Sequence, residues 1–479
     1  MDTHSILATV QDLVDLAPRA TGTPGGERAA AYVADRFTRA GLSDVHEMHV
    51  PSYAWRATRC HLTVADEDVA CAPVLHSALR ATDAVGTLLD TPVTAPLIDV
   101  GTAVGEHDVT GRIVLFDLTF DMTTAHLLPL AEWLHDPGRR MLRREVLSSR
   151  NPYVTNLSRV ARDAARGGAV GIVGVLKDYP ESLSYHNEYY RRTLLELPGA
   201  WVTRLGGATV RAAMRKADRA GQPATATLDL AAEREAVTSR TVIGVLPGRS
   251  TETVMVQSHH DSIGPGAVED GTGTAEVIAL AEHFGARAAT GEVREKTLLF
   301  VTFDTHFTGY QAHQEFARRY ALDPDSPYDL VLNLTVEHVG LRAVASEKGD
   351  GFATTGQTEP RGIFENLSPR LAWHLARGLR RHGLAGTTLL NARPLEWGRL
   401  GIPTDASFSL VSGVPVVSLI SGPLYLYADA DDMSKVDVDQ LLPVARYFAD
   451  VVDRVDSVRG SRIGWLPRGV RRRLPRGRW

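Results

Sequence analysis

A chain of 479 residues with 44% apolar and 23% charged side chains has the make-up of a globular protein too long for one ordinary core, so two domains are expected. Lys and Arg number 52 against 57 Asp and Glu, and the net charge of −5 excludes a general electrostatic attraction to nucleic acid or membrane. Only Cys60 and Cys71 are present, which excludes a disulfide framework and a cysteine zinc site and leaves reduced thiols near strands as the simple expectation.

The first residues, Met1 to Gln11, carry an acid where a signal peptide needs bases, and no long apolar run follows, so a cytoplasmic protein without a membrane span is expected. Ile6, Leu7, Val10, Leu13 and Val14 recur at helical spacing between Ser5 and Leu16, until the run R-A-T-G-T-P-G-G from Arg19 to Gly26 breaks the pattern. A second amphipathic helix is expected from about Glu27 to Ala40, stopped by Gly41. Strand-like segments follow at Val45 to Val50 and His61 to Val64.

Between about Ala81 and Leu230 the texture turns β-rich. Short strands are expected at Ala95 to Val100, Arg112 to Asp117, Val170 to Val175, Ala200 to Val202 and Thr225 to Leu228, with a tyrosine-rich loop at Tyr185 to Tyr190. From Arg240 strands and helices alternate again. Strands are expected at Thr241 to Leu246, Val254 to Gln257, Thr297 to Phe303, Leu330 to Val336 and Val414 to Ile420, and helices from about Thr272, from Gly309 to Tyr320 and from Leu441 to Val455. The expected fold is therefore α/β, a mixed, mostly parallel sheet with helices on both faces and a β-rich insert. Its parts are 1–80 and 236–458 for the main domain, 81–235 for the insert, and 459–479 for a tail with eight arginines and no acid. The tail reads as a solvated or loosely docked terminus, with binding to an acidic partner as the alternative.

Polar chemistry gathers where strands end, the place where ligands bind in such sheets. The Val254 strand runs into a loop carrying His259, Asp261, Glu269 and Asp270, and Gly264, Pro265 and Gly266 allow the backbone to return Glu269 toward His259. An imidazole and a carboxylate on one loop suit Zn²⁺ or a similar divalent ion, with Asp261 orienting His259. Two more strands end on polar residues, at Asp304 to His306 and at Glu337-His338, and convergence of three such ends favours a metal site over a solvated turn.

The whole from about Ser5 to Val455 resembles the M28 family of zinc aminopeptidases with an inserted protease-associated domain. The resemblance rests on R-A-T-G-T-P-G-G, S-H-H-D-S-I-G-P-G-A-V-E-D-G-T-G, V-E-H-V-G, V-P-V-V-S-L-I-S-G-P and D-D-M-S-K-V-D, with V-T-G-R-I-V-L-F-D and G-G-A-V-G-I-V-G-V in the insert. It implies a first metal position made of His259, of Glu269 in place of a bridging aspartate, and of Glu337. The family's Glu-Glu pair, general base and ligand of a second metal, reads His306-Phe307 here, and its last histidine ligand falls on Tyr427. Two ligands of the second position are thereby lost, so one ion is expected where the family carries two, with Asp429 or Asp431 as substitutes if the register shifts.

His306 is then either the base or a further ligand, the second role leaving base duty to Asp270 or His338. His260 should face away from the site, Asp405 is either a pocket residue or a turn aspartate, and Trp397, Tyr425 and Tyr427 are either pocket walls or core. The leading expectation is a metal-dependent hydrolase of an amide or peptide-like bond, acting on a small-molecule or peptide substrate. A catalytically inactive binding protein and a single-metal acyl-transfer enzyme, like the glutaminyl cyclases that the family fold resembles, are the alternatives.

Overall fold

The computed structural model describes residues 1–78, 88–90, 92–187, 195–398 and 400–471, with only the backbone for 88–90 and 468–469. The end of the tyrosine-rich loop and the last arginines of the tail lie outside the described residues. The main sheet places Thr225–Leu246, Lys296–Phe303, Ser250–His259, Asp329–Val336 and Val416–Ser421 side by side, in that order. The last four are parallel to one another and the first is antiparallel, so the sheet is mixed and mostly parallel at its centre. Arg361–Glu365 and Thr387–Asn391 extend it.

Alternation along the central strands sets the two layers. Val254, Val256, Leu298 and Phe300 point into one core, and Met255, Leu299 and Val301 into another. The first face is covered by the helices Thr3–Asp15, Gly273–Ala289 and Val438–Asp456, which touch one another. The second is covered by the short helix Gln311–Phe316, whose Ala312 and Phe316 join that core. The expected helix from Gly309 to Tyr320 is present from Gln311 to Leu322, with its second half, Ala317–Leu322, widened to a π-helix.

The insert differs from the expected string of short strands at its two ends. Ser43–Val64 and Thr225–Leu246 are single 22-residue strands, paired antiparallel along almost their whole length. They carry the sheet without a break from the main domain into the insert, where Val93–Asp99, Ile113–Asp117, Gly171–Leu176 and Gly199–Thr203 form a parallel set. Residues 120–155 leave the insert and come back over the main domain, and Ala131–His135 pairs with Thr387–Asn391 at the far edge of the sheet. Cys60 and Cys71 are free thiols with their sulfurs 3.7 Å apart. No described helix is long and apolar enough to cross a membrane. Of the basic tail, Arg471 is buried and donates to the carbonyls of Leu466 and Gly413.

Candidate metal centre

His259 is the last residue of its strand, and its Nδ1 faces the Asp261 carbonyl at 3.1 Å and Asp261 Oδ1 at 3.3 Å. The loop that follows is fastened by Arg19, which is buried and donates to the carbonyls of Leu13, His260, Pro265 and Gly266. Gly266 has φ of 58°, and a Cβ there would lie 2.4 Å from the Glu269 carbonyl oxygen, so glycine is needed for the turn to close. Asp431 holds the returning limb by accepting from Val268 N and Glu269 N at 2.8 to 3.2 Å. Glu269 arrives with Oε1 3.3 Å from His259 Nε2.

His306 follows the neighbouring strand, whose end is pinned by Asp304 accepting from Thr21 Oγ1, Arg240 N and Thr305 N. Its ring stacks on that of His259 with centroids 4.0 Å apart. Its Nδ1 lies 3.1 Å from Asp405 Oδ1 and its Nε2 3.7 Å from Glu269 Oε1, with the Tyr310 hydroxyl 3.4 Å from the same nitrogen. Asp405 also meets His313 Nε2 at 2.8 Å. Two imidazoles therefore each present Nδ1 to a carboxylate and Nε2 to one shared glutamate oxygen. With Nδ1–H donating, three lone-pair acceptors face one small buried space, and only a cation or an extra proton can make that favourable.

The electrostatics agree. Burial works against a charged His259, yet Asp261 and Glu269 hold it well above its ordinary value. Burial likewise opposes ionised Glu269 and Asp405, but the surrounding imidazoles hold both well below the usual carboxylate range. His259 Nε2 and both Glu269 oxygens make no hydrogen bond of proper geometry, so their contacts are charge contacts only. One ligand atom each from His259, Glu269 and His306 lies within 4.8 Å of the others. Separations of 3.3 and 3.7 Å bracket the tetrahedral edge of about 3.4 Å that bonds of about 2.1 Å require. The donor set fits a zinc-like ion.

Glu337, expected in the first metal position, stands outside that group of three. One of its oxygens accepts from Asp405 N at 3.1 Å, and burial together with Asp405 pushes its acid well above the usual range. Asp270, named as a possible base, accepts from Ser258 Oγ, Gly273 N and His338 N and so braces the loop. His338 sits 2.6 Å from Glu269 Oε2 and 2.8 Å from the Ser421 carbonyl. Burial opposes its charge but Glu269 outweighs this and pushes it up to about 10, so the imidazolium is favoured at neutral pH, with Nδ1 donating to the Ser421 carbonyl and Nε2 in a charge contact with Glu269.

His260 points away, with Nδ1 3.1 Å from Thr302 Oγ1, as expected. Asp431 spends its carboxylate on the backbone and does not replace the missing ligand. Tyr427 is buried with its ring centroid 6.3 Å from that of Phe307, which in turn lies 4.8 Å from the ring of His306. Tyr425 is core, donating to the Leu341 carbonyl, whereas Trp397 is exposed and packs on Trp465.

Sequence reading missed the insert's own contribution. His186 lies against Phe307 and Tyr427, and Tyr153 reaches to 2.9 Å from His338 Nδ1. His186 falls in the tyrosine-rich loop already singled out, which was the available signal; Tyr153 carried none.

Residues 241–452, a little under half of the chain, match the model of Peptidase family M28. The chain is M28 peptidase-like. No curated protein sequence matches it. Among solved structures it is similar to the aminopeptidase from Aneurinibacillus sp. strain AM-1, with 19% identity over 95% of this chain and 93% of that one, and a TM-score of 0.62. BSAP, a zinc aminopeptidase from Bacillus subtilis, gives 17% identity, 97% and 98% coverage and a TM-score of 0.64. A Peptidase M28 precursor from Shewanella amazonensis SB2B gives 18%, 96% and 95%, and 0.64. At these identities the shared property of the M28 peptidase-like chain and its neighbours is the fold.

Proposed function

We propose that the protein is a metal-dependent hydrolase of an amide or peptide-like bond that works with one ion, zinc or similar, held by His259, Glu269 and His306. The observation that carries this reading is the convergence of two Nε2 atoms and one carboxylate oxygen on a single buried point. The match to an M28 peptidase model and the aminopeptidases among its structural neighbours support the reaction class. His306 is assigned as a ligand, where the family resemblance had left base or ligand open.

When bound, a divalent ion supplies Lewis-acid polarisation of the scissile carbonyl. Asp261 and Asp405 fix the two imidazoles with Nδ1 protonated, which keeps both Nε2 lone pairs aimed inward. The His338 imidazolium neutralises the second oxygen of Glu269, the task that another metal ion would perform in a two-metal site. Glu337, whose acid burial and Asp405 push well above the usual range, has an oxygen without a hydrogen-bond partner and is suited to giving a proton to a leaving amine.

Metal analysis of protein purified without chelator, with a panel of aminoacyl anilides, N-acyl amides and N-terminal glutaminyl peptides, tests the proposal. About one equivalent of zinc with turnover supports it; two equivalents, or turnover that survives metal removal, overturns it. A binding protein that keeps the scaffold is the second reading, favoured by the packing of Phe307 on His306 and on Tyr427, and it predicts no turnover at any metal loading.

A further inference from the structure

The excursion 120–155 does not close tightly on the sheet it covers. Between it and the face of Arg361–Glu365, Thr387–Asn391 and Val416–Ser421 lies a cavity of about 160 Å³. Phe364, Leu390 and Ile420 form its floor, and Leu127, Leu134 and Met141 its roof. The turn Thr124–Leu130, which supplies part of the roof, has no buried residue although three of its seven residues are leucines. Leu128 and Leu142, also on the cavity, are 42% and 61% exposed and make an apolar rim.

Protein interiors rarely leave apolar surfaces facing each other across such a gap, since packing contacts are forfeited on both sides. Arg150, Glu359, Arg361 and Thr388 also reach the lining, which is otherwise mostly apolar, and an apolar space of about 150 Å³ takes up a six-carbon ring. The inner wall is close-packed rather than yielding, because a Cβ at Gly422 would lie 2.7 Å from both Asn151 and Tyr153. Tyr153 belongs to that wall and reaches His338, so the cavity backs onto the metal centre without containing any of its ligands.

We propose that this cavity is a binding site for the hydrocarbon portion, about six carbons in size, of a small amphipathic molecule whose polar end stays at the apolar rim. The roof comes from the insert and the floor from the main domain, so the site exists only when the two are docked. It does not depend on the hydrolase reading, because occupancy is read without turnover.

The test uses the full chain and the six-carbon probe benzene, followed by ligand-observed NMR and displaced by primary alcohols of increasing length. One saturable probe site is expected, with displacement improving about fourfold per methylene up to about six carbons and then levelling off. Leu390→Trp on the floor and Leu134→Trp on the roof each fill the space and are expected to weaken probe binding at least tenfold, while a thermal melt reports that they fold. Absence of a saturable site, displacement that ignores chain length, or folded filling variants that bind as tightly as the parent overturns the proposal. The chain-length series needs only the unaltered protein and decides the matter if neither variant folds.

Discussion

The metal centre and the aromatic cluster beside it are built from opposite chemistry. At Glu269 Oε1 stand His259 and His306, each steered by a carboxylate; next to them Phe307, Tyr427 and His186 pack ring against ring. The same residue type behaves differently in the two. His259 is held well above its ordinary value by Asp261 and Glu269, whereas burial among aromatic rings pushes His186 down to about 4. Burial is common to both, so what separates a ligand site from a packed wall is whether carboxylates accompany the imidazoles.

Removing a ligand is the harshest way to break that comparison. His259→Ala is expected to take bound zinc from about one equivalent to near none and to abolish turnover, with metal content read by elemental analysis. Phe307→Ala attacks the aromatic wall, whose buried ring also lies against His306 and His259 with centroids 4.8 and 6.0 Å away, and should cost about 3–5 kcal/mol of stability in a denaturant melt while leaving zinc content near one equivalent. Loss of zinc in that variant would erase the distinction between the two.

Asp405→Asn keeps the ligands but removes the charge that steers His306, and zinc affinity measured against a competing chelator should fall about 10–100-fold. The smallest effect concerns pH. His186 has its folded value depressed to about 4, so it stays neutral when folded while an unfolded histidine binds a proton below about 6.5. Stability is lost as pH falls through that window and the loss levels off below the folded value. His186→Leu should therefore narrow the difference in melting temperature between pH 7 and pH 5 by about 2 °C, measured by calorimetry.

Much of the frame was legible in the chain. Strand periodicity, the strand-to-loop passage at His259 and the glycine turn that brings Glu269 back all follow from local pattern, whereas attention to Phe307 and Tyr427 came from the family resemblance. Less legible was the length of Ser43–Val64 and Thr225–Leu246, because each strand looks like two when its partner, some 200 positions away along the chain, is unseen.

What the sequence by itself determined is the inventory: a mixed α/β sheet and strand ends that carry His259, His306 and Glu337. Which of these residues meet was decided only in three dimensions. Asp405 lies 99 residues beyond His306 yet steers it, Glu337 turns to the Asp405 backbone, and Tyr153 crosses from the insert to His338. Periodicity encodes which face of an element is buried, a property of neighbours a few residues apart. The direction of a charged side chain at a strand end depends instead on the summed field of partners drawn from four or five distant segments, and that sum exists only once the sheet has assembled.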